Sequence, residues 1–151
     1  MKKIFLFVAA LTLSLTSCSS DDNSGDNGGS GNSELKVTID GVQKTFNTVI
    51  VNRQVQDGWT ELTVTATIDN NPAEMITFNL DEGEVGSDVI WNFGYTKNGE
   101  YHWTSNFSAV VQTNVNKKLK GTFMTSVYNT YDEEGQPILV NLTNGSFDIS
   151  Y

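Results

Sequence analysis

Cysteine, histidine, proline and basic residues are all scarce in this chain of 151 residues. The single cysteine, Cys18, excludes an intramolecular disulfide, and the single histidine, His102, excludes a metal site built from several histidines. Nine basic residues stand against 18 acidic ones, which gives a net charge of −9. Because nucleic acids are bound by clustered Lys and Arg, we expect no nucleic-acid partner. The nearest basic group, Lys117, Lys118 and Lys120, is expected in a solvated turn and strand edge.

Long hydrophobic runs are absent as well. The longest apolar stretch, from Ile4 to Leu15, is interrupted by two polar residues and follows a pair of lysines. This layout is typical of a signal peptide, and the stretch is too short to cross a bilayer stably as a helix. We therefore assign residues 1–17 to a signal peptide.

The signal peptide ends in Leu15-Thr16-Ser17-Cys18, which resembles the lipobox of bacterial lipoproteins. In that motif an aliphatic residue and two small residues precede the cysteine whose sulfur takes a diacylglycerol. The resemblance implies that Cys18 is lipidated and begins the mature chain, which would carry 7 basic and 18 acidic residues. Two or more acyl chains give stable attachment, so the expected partner is a membrane. The alternative is an ordinary secretory signal with a coincidental cysteine.

Only Ser, Asp, Asn and Gly occur from Ser19 to Ser33. Such a segment has no apolar surface to bury, so residues 18–33 are predicted to form a disordered linker that follows the lipidated cysteine. Its start, Ser19-Ser20-Asp21-Asp22, resembles the acidic export signal of Bacteroidota lipoproteins. The resemblance implies display on the outer face of the outer membrane, with a periplasm-facing position as the alternative.

Beyond the linker, the apolar residues recur with a period of two. Leu62, Val64, Ala66 and Ile68 alternate with Glu61 and three threonines, and similar alternation recurs in other segments. This pattern is typical of half-buried strands, and no segment has the spacing of an amphipathic helix. Residues 34–151 are therefore predicted to form a single all-β domain. We expect an antiparallel β-sandwich of about nine or ten strands, with a flattened β-barrel as the alternative.

Three Asn-Gly or Asp-Gly pairs predict turns and so fix strand registers. A two-residue turn at Asp57-Gly58 pairs Val51 with Val64, and it leaves Arg53 opposite Leu62 as the discordant residue. A two-residue hairpin turn at Asn144-Gly145 places Leu142 opposite Phe147.

The third pair, Asn98-Gly99, is assigned to a three-residue loop that also includes Lys97. This choice pairs Tyr95 with Tyr101 and Phe93 with Trp103, and it makes the Trp91 to Trp103 hairpin the aromatic centre of the core. In this register His102 faces away from the aromatic residues.

Three segments together resemble a group of small Bacteroidota lipoproteins of unknown function. They are Leu-Lys-Val-Thr-Ile-Asp-Gly (35–41), Lys-Leu-Lys-Gly-Thr-Phe (118–123) and Leu-Thr-Asn-Gly-Ser-Phe-Asp (142–148). The similarity covers most of the chain. The resemblance implies the β-domain and attachment to a membrane as a lipoprotein. The three segments contain no catalytic residue.

The sequence contains no recognisable catalytic motif. His102 has no nucleophile elbow to accompany it, and the acidic residues of two long loops, Asp81–Asp88 and Asn129–Pro137, lack the ligand order of an EF-hand. We therefore expect no catalytic residue, no metal and no cofactor. A platform for stacking sugar rings would come from the aromatic residues Trp59, Trp91, Tyr95, Tyr101, Trp103, Tyr128 and Tyr131, although core packing explains most of them more simply. Trp59 follows a turn on the threonine-rich face of its strand, so we predict it as the exposed residue of this set and as a ligand-stacking residue.

These observations favour a membrane-tethered, non-catalytic binding or accessory module whose ligand is a glycan or an envelope protein. The alternatives are a hydrolase that uses a pair of carboxylates and a purely structural envelope component.

Overall fold

The computed structural model describes residues 33–151, so the signal peptide, Cys18 and nearly all of the linker lie outside the described residues. The described residues form ten β-strands and no helix, and every strand pairing is antiparallel. The predicted all-β antiparallel domain is confirmed. The strands are β1 (Glu34–Ile39), β2 (Val42–Phe46), β3 (Thr48–Gln56), β4 (Trp59–Ile68), β5 (Asn71–Asp81), β6 (Gly86–Ser87), β7 (Trp91–Lys97), β8 (Glu100–Val115), β9 (Lys118–Tyr128) and β10 (Val140–Ser150).

Nine of these strands form one continuous path in the order β2-β1-β10-β9-β8-β7-β5-β4-β3, and β6 pairs with β8 beside it. Strand β8 joins the two halves of this sheet, since its first residues pair with β7 and the rest pair with β9. The sheet curls into a half-barrel whose two ends, β2 and β3, are separated along the chain only by Asn47. The two predicted layers are therefore two halves of one curled sheet.

The core lies between these halves and is built from alternate residues of each strand. Strand β4 shows the pattern clearly, because Leu62, Val64 and Ala66 are fully buried while the intervening threonines are half buried. Phe78 of β5 contacts Phe147 of β10 with ring centroids 5.4 Å apart, which joins the two halves. Each large apolar side chain buried in this way contributes roughly 1.5–3 kcal/mol.

The hairpin at Asp57-Gly58 has the predicted register. Val51 pairs with Val64, and Arg53 pairs with Leu62. Because β3 is an end strand, the Arg53 side chain is not forced into the core, and its guanidinium lies 2.6 Å from the Glu82 carboxylate. The residue that breaks the apolar pattern thus forms an ion pair at the open end of the sheet.

The three-residue loop predicted at Asn98-Gly99 is wrong. These two residues alone form the turn, both with positive φ (53° and 80°), and Tyr95 pairs with His102. The side chains of β8 therefore have the opposite orientation to the predicted one: Trp103 is exposed and His102 is buried. The His102 ring contacts Tyr95 and its Nδ1 lies 3.1 Å from the carbonyl oxygen of Glu100.

The hairpin turn predicted at Asn144-Gly145 is also wrong, because this pair lies inside β10. Asn144 has a φ of 52°, and the register with β9 shifts between Leu142 and Gly145, which is a β-bulge. The extra residue lets Leu142 and Phe147 share the inner face despite their odd spacing. A hairpin and a bulge bury the same side chains here, so the apolar pattern alone does not separate them.

The strand edge predicted at Lys117, Lys118 and Lys120 is wrong, because β9 lies between β8 and β10. Lys117 forms a tight turn with Asn116, and both have positive φ. Lys118 and Lys120 face Asp148 of the neighbouring strand at 3.9 Å and 2.6 Å. The basic group is thus partly neutralised within the sheet.

Two glycines make room for phenylalanine rings between β9 and β10. Gly121 pairs with Phe147, and Gly145 pairs with Phe123. A Cβ atom at Gly121 would overlap the Phe147 ring and lie 2.6 Å from the carbonyl oxygen of Val110. The close approach of ring and backbone therefore requires glycine at this position.

Replacing Gly121 with alanine tests this packing. We expect Gly121→Ala to lower the free energy of unfolding by about 1–3 kcal/mol, because the backbone oxygen of Val110 cannot move aside as a flexible side chain would. Urea unfolding measures the effect, with Thr122→Ser on the exposed face of the same strand as the control, expected within about 0.5 kcal/mol of wild type. Equal stability of Gly121→Ala and the control would contradict the packing argument.

Candidate ligand-binding surface

Four aromatic side chains lie together on the outer face of the sheet where β8 begins and β9 ends. Tyr101, Trp103, Tyr128 and Tyr131, here called the aromatic cluster, form a row in which each ring contacts the next. The centroid distances along the row are 5.8 Å, 6.3 Å and 5.6 Å. Tyr101, Trp103 and Tyr131 are exposed, Trp103 to 54%. Exposed aromatic side chains in mutual contact mark an interaction surface.

The two-residue turn at Asn98-Gly99 creates this cluster, because it directs Tyr101 and Trp103 outward. Trp103 is paired directly with Tyr128 across the β8–β9 ladder. The Tyr101 ring lies against Gly94 of β7, where a Cβ atom would be 2.6 Å from the ring. Neighbouring strands thus hold three of the four rings on a rigid part of the sheet.

The connection between β9 and β10 supplies the fourth ring. Tyr131 bridges to Pro137, and the amide of Ile138 donates to the carbonyl of Thr130 at 2.9 Å. At the tip, one oxygen of the Asp132 carboxylate accepts hydrogen bonds from two backbone amides of the same turn, those of residues 134 and 136. The loop that carries Tyr131 is therefore ordered by its own hydrogen bonds.

Polar groups surround the rings. A hydrogen bond with Tyr128 raises the pKa of Tyr131, which favours the neutral phenol. The Asn129 amide donates to the Glu100 carboxylate at 3.0 Å, and Glu133 and Glu134 are exposed in the same loop. The surface thus combines ring faces with hydrogen-bonding groups and carries acidic charge at its margin.

Two shallow depressions continue along the outer face of β8, β9 and β10. Their volumes are about 350 Å³ and 340 Å³, and the exposed side chain of Met124 lies between them. None of the residues that line them is charged. We call the two depressions together the trough; its polar side chains include Asn106, Ser108, Thr122, Ser126, Asn141 and Ser146.

The remaining aromatic candidates do not join the cluster. Trp59 is 44% exposed and begins β4. The carbonyl of the next residue, Thr60, accepts a hydrogen bond from the amide of Glu82, so Trp59 lies beside the acidic loop at the opposite end of the sheet. Of the hairpin predicted to be the aromatic centre of the core, Phe93 and Tyr95 are buried as predicted. The prediction is wrong for its other aromatic residues, because Trp91, Tyr101 and Trp103 are exposed.

The acidic loop from residue 81 to 88 is held by a buried amide. The Asn114 side chain donates to the carbonyls of Asp81 and Glu84 at 2.8 Å and 3.0 Å. The Tyr151 hydroxyl lies 3.3 Å from Glu82, and burial together with that carboxylate raises the pKa of Tyr151 to about 12. Among residues 33–151, no three acidic, histidine or cysteine side chains come together as a metal site.

A second group of polar side chains connects β2, β5 and β7. The Glu74 carboxylate of β5 accepts hydrogen bonds from Lys44 of β2 at 2.5 Å and from the hydroxyl of Tyr95 at 2.6 Å. Burial alone would raise the pKa of Glu74, but these two hydrogen bonds and the charge of Lys44 outweigh it and lower the pKa. Burial and the Glu74 carboxylate raise the pKa of Tyr95.

The alternative of a carboxylate-pair hydrolase requires a general acid with a raised pKa beside a second carboxylate. In the described part of the chain, the carboxyl groups with clearly shifted pKa values are Glu74 and Asp148, and both values are lowered. Lysine side chains cause much of the lowering in each case. Neither carboxyl group therefore has the property of a glycosidase general acid.

The lowered pKa of Glu74 predicts a pH-dependent contribution to stability. The ionised carboxylate stabilises the fold above the unfolded-state pKa, about 4.3. This contribution is lost as the pH falls through the lower pKa of the folded state. We expect Glu74→Gln to be less stable than wild type at pH 7, with a difference that narrows below about pH 4.

Thermal unfolding of both proteins across this pH range measures the difference. Glu133→Gln, in the exposed loop, is the matched control and is expected to unfold within about 0.5 kcal/mol of wild type at pH 7. A difference between Glu74→Gln and wild type that stays constant with pH would contradict the assigned role of the carboxylate.

No helix in residues 33–151 has the length and apolar character needed to cross a membrane. Comparisons with protein-family models, with curated proteins and with solved structures gave no match. The aromatic cluster and the trough are therefore interpreted from their own residues and geometry.

Proposed function

We propose that this protein is a lipid-anchored module that binds glycans at the surface of a bacterium of the Bacteroidota, on the outer face of the outer membrane. The observation that carries the proposal is the aromatic cluster, which is exposed, rigidly held and bordered by an uncharged polar trough. It is proposed as a binding protein and not as a hydrolase.

The chemistry of sugars explains why this surface suits them. A pyranose ring has an apolar C–H face, which stacks on an aromatic ring, and an edge of hydroxyl groups that exchange hydrogen bonds. Tyr and Trp offer both an apolar body and a polar group, and they are among the residues that contribute most to binding energy. The cluster supplies the rings, and the amide and carboxylate groups of Asn129 and Glu100 lie beside it.

The position of the cluster supports display on a tether. The linker enters at Ser33, whose hydroxyl donates to the carbonyl of Ser150, and Tyr151 donates to Lys117 beside it. Strand β8 runs from the cluster toward the turn at Asn116 and Lys117, and the thirteen residues from Trp103 to Val115 span about 40 Å. The cluster therefore lies at the end of the domain away from Ser33, the residue at which the proposed tether joins the domain.

The anchor is tested by the sulfur of Cys18. We expect the mature native protein to carry a diacylglycerol on Cys18 and to partition into detergent, because two acyl chains bind stably to lipid. Cys18→Ser should remain in the aqueous phase. Intact-mass spectrometry that finds an unmodified thiol in the native protein would refute the anchor.

The binding surface is tested with the soluble mature chain that carries Cys18→Ser. A panel of neutral oligosaccharides (malto-, cello-, xylo- and manno-) is titrated by calorimetry. We expect at least one series to bind, and we expect Trp103→Ala to weaken that binding at least about tenfold, or about 1.4 kcal/mol, because it removes one of the two inner rings of the row.

Trp59→Ala is the matched control, since it removes an exposed tryptophan at the opposite end of the sheet. Loss of binding in Trp59→Ala with unchanged binding in Trp103→Ala would move the site to Trp59 and refute the cluster. Failure of wild type to bind any neutral or acidic glycan on an array would refute the glycan proposal itself.

A further inference from the structure

The trough extends the aromatic cluster along the sheet. The outward pair that follows Trp103 and Tyr128 is Asn106 with Ser126, and both of these residues line the nearer depression. The next outward pair is Ser108 with Met124, which the two depressions share. The rings and both depressions thus occupy one uninterrupted strip of the outer face.

The length of this strip exceeds that of a single sugar. The eight residues from Trp103 to Val110 span about 23 Å along β8, which is the length of several pyranose units. Val110, Thr122 and Met124 are all exposed along it. A long, open surface of this form suits an internal segment of a polysaccharide and not a terminal sugar, which would need an enclosed pocket.

The polar groups of the trough also restrict the charge of the ligand. Its lining offers hydroxyl and amide groups and no charged side chain. The Ser126 hydroxyl and the Asn141 amide oxygen are 2.9 Å apart, and both residues are accessible at the floor of the nearer depression. Glu100, Asp132, Glu133 and Glu134 lie at the cluster end, and the chain as a whole has a net charge of −9, so an anionic polysaccharide is repelled.

We infer that the ligand is a neutral polysaccharide that binds as an internal segment, stacking on the aromatic cluster and continuing along the trough past Met124. This inference rests on the proposed glycan-binding function and adds the class of glycan and the direction in which it lies. Affinity should therefore grow with chain length.

The experiment measures affinity as a function of chain length in the mature chain that carries Cys18→Ser. The oligosaccharide series that binds in the panel above is titrated from the disaccharide to the octasaccharide, and oligogalacturonides serve as the anionic comparison. We expect the affinity to rise at least about tenfold from the shortest to the longest member. We expect the oligogalacturonides to bind at least about tenfold more weakly than neutral chains of the same length.

Ser108→Arg places a long side chain at the boundary of the two depressions without touching the aromatic cluster. It should abolish the gain in affinity with chain length. Gln54→Arg adds the same charge on exposed β3 in the other half of the sheet and should behave as wild type. Thr122→Arg, on the adjacent strand, provides a second block should Ser108→Arg fail to fold as judged by circular dichroism.

The outcomes separate this inference from the proposed function. Binding that is independent of chain length would overturn the extended site while the cluster stands. A gain in affinity with chain length that survives both Ser108→Arg and Thr122→Arg would do the same. Preferential binding of oligogalacturonides would overturn the assignment to neutral chains. Absence of binding at every length would instead refute the proposed function.

Discussion

The orientation of side chains along β8 determines what this surface presents. In a strand, successive side chains point to opposite faces, so a change of register by one residue exchanges the buried set for the exposed set. The turn at Asn98-Gly99 fixes that register by adopting positive φ at both positions, which pairs Tyr95 with His102. As a result His102 is enclosed and Trp103 is presented to solvent. The aromatic cluster exists because of this one turn.

A second constraint operates between β9 and β10, where backbone and rings come unusually close. Phe123 and Phe147 each lie over a glycine of the neighbouring strand, and the bulge at Asn144 lets Phe147 share the inner face with Leu142. The same bulge interrupts the regular spacing of β10 beside the farther depression, whose lining includes Asn144 and Gly145. A single inserted residue therefore affects both the packing of the interior and the shape of the outer surface at the farther depression.

Much of the fold could be predicted from the sequence, because alternation of apolar and polar residues is a strong signal where one face of a strand is buried and the other is exposed to solvent. The number of strands, their antiparallel pairing and the complete register of the Asp57-Gly58 hairpin follow from it. The error at Asn98-Gly99 arose because Tyr101 and Trp103 lie on the outer face of β8, where their hydrophobicity no longer distinguishes inside from outside. The preference of Asn-Gly for two-residue turns was the better guide at residue 98 and the poorer one at residue 144.

The site was less predictable than the fold for a related reason. Tyr101, Trp103, Tyr128 and Tyr131 were recognisable as candidates by residue type, but their contact depends on a cross-strand pair and on a loop that is distant in sequence from β8. Trp59 was chosen because it follows a turn on the threonine-rich face of its strand. It lies at the other end of the domain and is exposed, and its role in ligand stacking remains a prediction. Contact between residues far apart in the chain requires the sheet order, which alternation alone does not specify.

The first described residue, Ser33, and the last, Tyr151, lie at the same end of the half-barrel, which has a mechanical consequence. Strand β1 starts directly after Ser33 and is flanked on both sides, by β2 and by β10. If the far end of the domain is held while the chain is pulled at Ser33, the force runs parallel to β1 and loads its ladders in shear. The hydrogen bonds on both sides of β1 then resist together instead of opening one after another, so release of this strand requires its bonds to β2 and to β10 to break at once.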